Sequence, residues 1–134
     1  MNSFAIDVDH EAAIRRTIKE CYFNGAFNDL DTVAMARGFH PDFAILGATA
    51  TGDLERYTIA QWIDAIETRK AAPNFDSKTV ERKCQIARVH VVGGVASATV
   101  AIYRDDALLY TDFLSLLHFG DGWKIVSKIY HAHA

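Results

Sequence analysis

Near the N-terminus apolar residues recur at helical spacing. Ile14, Ile18, Cys21, Tyr22 and Gly25 form one face, while Arg15, Arg16, Lys19 and Glu20 mostly hold the other. This pattern predicts a helix over residues 10–27, capped by Asp7 or Asp9. A short second helix, residues 30–37, follows a cap at Asn28 or Asp29, with Leu30, Val33, Ala34 and Met35 on its apolar side. Pro41 lacks an amide hydrogen and drives His40 toward extended geometry, so this helix must stop by His40. Residues 43–47 read as a short strand, and 47–56, polar and glycine-bearing, as a loop. Thr58-Ile59-Ala60-Gln61 is a capping box. It opens a third helix over 59–71 whose apolar face is Ile59, Trp62, Ile63 and Ile66, ended by Pro73 and Asn74.

Beyond that point the pattern changes to strands. Residues 78–92 and 95–104 are joined by a Gly93-Gly94 turn, and Asp105-Asp106 turns again into a last hairpin. Its two strands flank Asp121-Gly122, a pair suited to a tight turn. With those two residues as the turn, Gly120 faces Trp123 and Asp112 faces His131. Lys128 then falls opposite Ser115, on the face away from Asp112. Helices followed by successive hairpins predict an α+β fold, three helices on an antiparallel sheet. Both parities of the last two strands are largely apolar: Leu114, Leu116, Ile125 and Ile129 on one, Phe113, Leu117, Val126 and Tyr130 on the other. Three helices cover only one face, so the other is expected to meet a second copy in a symmetric homodimer through the sheet. The alternative is a curved sheet that wraps its own core and leaves a modest patch exposed.

Length and charge narrow the function. The 134 residues suit a single domain, residues 1–134, large enough for a core without disulfide staples. A net charge of −3 with no basic run argues against a nucleic-acid partner. No apolar run has membrane-spanning length, and Met1 to Asp7 has neither the basic start nor the apolar core of a secretory signal. Two cysteines, Cys21 and Cys84, fit a reduced, cytoplasmic setting.

Several residues are also familiar as a set. Tyr22 on the first helix, Phe39-His40-Pro41-Asp42-Phe43, the capped helix with Trp62, and above all Asp112-Phe113-Leu114-Ser115-Leu116-Leu117 followed by Gly122-Trp123-Lys124-Ile125-Val126-Ser127-Lys128 carry a resemblance. Over nearly its whole length the chain resembles the nuclear-transport-factor-2-like superfamily, which includes the SnoaL-like polyketide cyclases. Within it the chain looks most like the proteins labelled putative lumazine-binding. The resemblance implies a cystatin-like cone: a curved sheet wrapped round a long helix, with a pocket inside, and commonly a dimer. Enzymes of this superfamily, such as ketosteroid isomerase and scytalone dehydratase, place Asp, His and Tyr side chains in the cone and use neither metal nor organic cofactor.

The chemistry on offer is limited. Asp112 beside His131 would make a general base, because a carboxylate fixes the imidazole tautomer and raises its basicity. Tyr22 is the accompanying hydroxyl donor. The same aspartate could instead make a structural pair with His131, Lys128 or a backbone amide, and one β-bulge would break the register. Tyr22, Trp62, Phe39, His40 and Tyr110 are the candidate ligand contacts. Lys128 reads as a structural or interface cation. His131-Ala132-His133 supplies two imidazoles without a clear third ligand, so no metal is expected. Three functions stay open. One is a binding protein for a planar or polycyclic apolar molecule. Another is a cofactor-independent isomerase, dehydratase or cyclase working through Asp112 and His131. The third is a dimeric interaction module with a filled cone.

Overall fold

Helix α1 (Ser3–Thr17) runs without a break into a π-helical stretch (Ile18–Asn28), so the long first helix ends where its apolar pattern ends. In this computed structural model the backbone is described for residues 3–133, and side chains for residues 10–79 and 81–133. Asp7 and Asp9 lie inside the helix rather than at its cap, and their side chains are outside the described residues. The π stretch bonds i to i+5, which widens the face that a helix can bury. Ile18, Cys21, Tyr22, Phe23, Gly25 and Ala26 are all buried there.

Helix α2 (Thr32–Gly38) is capped by Asp31, whose carboxylate accepts from the amides of Val33 and Ala34 at 3.1 Å. Asp31, not Asn28 or Asp29, does the capping, because Asp29 is still closing the first helix through its amide to the Asn24 carbonyl. Strand β1 (Phe39–Ala48) follows at once, then β2 (Leu54–Thr58) and helix α3 (Ile59–Lys70). The capping box at α3 is complete: Thr58 Oγ1 accepts from the Gln61 amide at 3.1 Å, and Gln61 Oε1 accepts from the Thr58 amide at 2.9 Å. After a 3₁₀ turn (Ser77–Val80) come β3 (Lys83–Val92), β4 (Val95–Arg104), β5 (Ala107–Phe119) and β6 (Gly122–Ala132). No helix among the described residues is long and apolar enough to cross a membrane.

The six strands form one sheet in the order β2-β1-β6-β5-β4-β3. It is mixed rather than purely antiparallel, because β1 lies parallel to β6. Alternation along β4 sends Ala96, Ala98, Val100 and Ile102 inward. They meet Leu114 and Leu116 of β5, Ile125 of β6, and the Ile14, Ile18 and Tyr22 face of the first helix. Where the first helix crosses the end of α2 there is no room for a side chain on the last residue of α2. A Cβ placed at Gly38 would collide with Cys21 Cβ and Sγ. Gly38→Ala should therefore cost about 1–3 kcal/mol, as overpacking does, read as a fall in the urea midpoint with an unchanged m-value.

The last hairpin differs from its predicted register in two ways. The turn is Gly120-Asp121, one residue earlier, so Phe119 pairs with Gly122 and His118 with Trp123. A bulge then skips Val126: Leu116 pairs with Ile125, but Ser115 pairs with Ser127. The two shifts only partly cancel, and Asp112 pairs with Tyr130 instead of His131. Because a bulge flips strand parity, Trp123 and Ile125 point inward before it and Lys128 points inward after it.

Candidate functional site

Between α3, the π stretch and the helix-covered face of the sheet lies a half-open cavity of about 790 Å³. Its lining includes six aromatic side chains: Tyr22 and Phe27 from the π stretch, Tyr57 from β2, Trp62 from α3, Tyr110 from β5 and Tyr130 from β6. It also includes Asp112 and Lys128, the two charged side chains that are buried among the described residues.

These polar groups form a closed set. The Tyr22 hydroxyl donates to Asp112 Oδ2 and accepts from Lys128 Nζ at 2.8 Å. Lys128 Nζ also lies 3.9 Å from Asp112 Oδ2. The ammonium sits 4.8 Å from the ring centroids of both Tyr22 and Trp62, and 5.2 Å from that of Tyr130, within cation–π range. The bulge at Val126 creates this arrangement by turning Lys128 to the face that Asp112 occupies. Lys128 pairs with Leu114 rather than Ser115, so the expectation that it lies on the opposite face is corrected.

Burial sets the protonation tendencies. It raises the Asp112 carboxyl above its ordinary value, against the opposing pull of the Lys128 charge and the Tyr22 hydrogen bond. Burial lowers the Lys128 ammonium, opposed by Asp112. Burial first, and the Asp112 charge second, push the Tyr22 phenol well above its ordinary value, so Tyr22 is a proton donor and not a base. Nearby Cys84 is pushed up to about 12 by the same two causes and is no thiolate nucleophile at neutral pH.

His131 is not part of this set. It pairs with Thr111, and although it contributes to the cavity lining, its ring packs on His133 at 4.9 Å. The Asp112–His131 pair read from the ideal hairpin does not form. Phe39 and His40 do not line the cavity. Phe39 is buried behind it, edge-on to Tyr22 and Trp62, and supports those rings. His40 stacks on Phe119 and its Nδ1 accepts from the Asp42 amide at 3.0 Å. Among the described residues no group of three or more His, Cys, Asp or Glu is placed to hold a metal ion. Sequence reasoning missed the inward direction of Lys128, and it missed Arg69 and Arg82, which also line the cavity.

Comparison with known proteins agrees with this architecture. A crystal structure of an NTF2-like protein of unknown function from Shewanella baltica OS155 is 28% identical, covers 95% of this chain and 96% of that one, and superposes with a TM-score of 0.72. One from Methylobacillus flagellatus KT is 26% identical over 95% and 94% of the two chains, with a TM-score of 0.70. One from Silicibacter pomeroyi DSS-3, at 24% identity over 99% and 100% with a TM-score of 0.72, shares the fold. No curated protein matches. Matched over residues 9–131, the chain belongs to the family described as "Putative lumazine-binding", within the NTF2-like superfamily of α+β proteins with a cystatin-like fold.

Proposed function

We propose that this protein binds a planar or polycyclic, largely apolar molecule in the cavity, with Tyr22, Trp62 and Tyr110 against its faces and the Tyr22–Asp112–Lys128 set at one end. The observation that carries this reading is a cavity of about 790 Å³ with aromatic walls and a few convergent polar groups, the usual form of a small-molecule site. Membership of a family named for ligand binding supports it. A cone filled by its own side chains, as a pure interaction module needs, fits this cavity poorly. The two free cysteines suit the cytoplasm.

A second reading is favoured by one feature. A phenol held between a carboxylate and an ammonium can turn its one proton from Asp112 to a ligand carbonyl and stabilise charge that develops there. In that case Tyr22 and Asp112 would handle the proton of a cofactor-independent isomerisation, dehydration or cyclisation. His131 has no place in this version, because its carboxylate partner is engaged elsewhere.

Native mass spectrometry before and after denaturation, joined to a thermal-shift titration with neutral N-phenyl-1-naphthylamine, tests the binding reading. A probe at a hundred times its Kd stabilises by about 2.7 kcal/mol, a rise on the order of 10 °C. Ala65→Trp, which projects an indole into the cavity from α3, should abolish that rise. Absence of both a co-purified molecule and a shift in the wild type would refute the reading.

A further inference from the structure

We infer that the molecule held in this cavity carries an anionic group, a carboxylate, phosphate or sulfonate, and that the guanidinium groups of Arg82 and Arg69 receive it at the solvent side. This inference rests on the binding reading above and adds the ligand's charge and the end that carries it.

The charges lining the cavity are distributed unevenly. Lys128 and Asp112 neutralise one another at the buried end. At the exposed end Arg69, on the last turn of α3, and Arg82, just before β3, both line the space. Among the described residues neither forms an ion pair with a carboxylate, although Glu55 shares the lining. Arg69 also complements the C-terminal dipole of α3, which is sufficient reason for a cation there. Arg82 closes the end of the 3₁₀ turn with only one of its nitrogens. Its Nη1 donates to the carbonyls of Thr79 at 3.2 Å and Glu81 at 2.8 Å. Among the described residues its Nε and Nη2 meet no acceptor, and these two form the edge of a guanidinium that grips a carboxylate or phosphate with two parallel bonds.

Arg82 is half-buried, and partial desolvation makes its charge harder to hold, as do the nearby charges of Arg104 and Arg69. At this end of the cavity Arg69 and Arg82 outnumber the one carboxylate of the lining there, Glu55, with which neither is paired among the described residues. An anion at the free Nε–Nη2 edge would balance that excess. The aromatic body then points inward to Tyr22 and Trp62, and the anionic group stays toward water, where it costs least to keep charged.

The test compares two probes that differ by one anionic group: N-phenyl-1-naphthylamine and 1-anilinonaphthalene-8-sulfonate. Each is titrated by fluorescence into wild type, Arg82→Gln, Arg82→Lys and Ala65→Trp. The wild type should bind the sulfonate more tightly than the neutral amine. Arg82→Gln should weaken the sulfonate about tenfold to a hundredfold, the usual worth of a hydrogen bond to a charged group, and leave the neutral probe within about twofold. Arg82→Lys should fall between, since it keeps the charge and loses the two-pronged geometry. Raising salt should weaken the sulfonate less in Arg82→Gln than in the wild type. Equal losses for both probes, no loss for the sulfonate, or sulfonate fluorescence that survives Ala65→Trp would overturn the inference while leaving the cavity reading in place. Failure of both probes to bind the wild type would overturn both. Thermal unfolding of each variant without probe separates lost affinity from lost fold.

Discussion

Lys128→Met should remove about 3–5 kcal/mol of folding stability, the cost of breaking a buried ion pair from one side. Domains of this kind have about 5–15 kcal/mol in total, so the variant would stand near the edge of folding. The loss comes from what remains behind. Asp112 is 1% exposed, and Lys128 is the cation 3.9 Å from its Oδ2. With methionine in place, Tyr22 still donates to the carboxylate, but the charge has no counter-ion. The deficit should depend on pH, with a definite sign. Burial already raises the Asp112 carboxyl in the folded state, and Lys128 is the leading influence that lowers it. Without Lys128 the folded-state value rises further above the unfolded one. A carboxyl with a raised folded value contributes stability below its ordinary value of 3.8, and that stability is lost as pH rises through the folded value. The deficit relative to wild type should therefore be larger at pH 8 than at pH 5, measured by urea unfolding at both. A deficit independent of pH would mean that Asp112 does not carry the exposed cost. The triple variant Lys128→Met, Asp112→Leu, Tyr22→Phe should recover most of the loss, because well-packed apolar groups often replace a buried ionic cluster at no net cost. Its recovery would mark the cluster as one kept for the ligand rather than for the fold.

The origin of that cluster also explains what could and could not be read from the chain. Features with a local signature were legible. The Thr58–Gln61 capping box needs only a hydroxyl and an amide three residues apart, and the Gly93-Gly94 and Asp105-Asp106 turns need only residues that tolerate positive φ, as Gly93 (56°) and Asp105 (52°) do. Tyr22 and Trp62 were legible as inward aromatics because helical spacing fixes the face. Strand β2 was read as part of a loop because Leu54, Glu55, Arg56 and Tyr57 are all exposed on a sheet edge, where no apolar alternation is required. The parallel β1–β6 pairing joins segments some eighty residues apart and leaves no local trace. The site suffered most from one residue. A bulge at Val126 has no composition that separates it from the flanking strand, yet it reverses every side chain after it. Lys128 thereby changes from a structural or interface cation on the far face to the partner of Asp112, and His131 leaves the aspartate for Thr111. Acid–base geometry on a strand is thus less legible than a core, since a core tolerates a parity error in its polar members and a catalytic or binding pair does not.

Phe113→Lys should leave the monomer fold within about 0.5 kcal/mol of wild type, as surface changes usually do, and should weaken self-association at least a hundredfold, a threshold of about 2.8 kcal/mol. The convex face of the sheet is the reason. Phe113 and Ile129 are cross-strand partners and each is 51% exposed; Val95 and Leu117, also partners, stand beyond a row of Ser97, Ser115 and Ser127. The helices pack on the concave face, and no described element covers this one. We propose a second copy as its cover, with strand rows of small residues allowing two sheets to approach. In such a two-fold interface one patch meets its own image, so a single substitution enters twice. Two lysines would be taken out of water in one interface, and buried charges without partners cost several kcal/mol each. Ile129→Lys should act in the same way. Leu54→Lys, at a more exposed residue on edge strand β2, should have no effect, which separates a specific interface from general stickiness. Sedimentation equilibrium across micromolar concentrations reads all four proteins. A wild type that stays monomeric there, or a Phe113→Lys dimer as tight as the wild type, would show that the convex face is not the contact and that its apolar rows have another role.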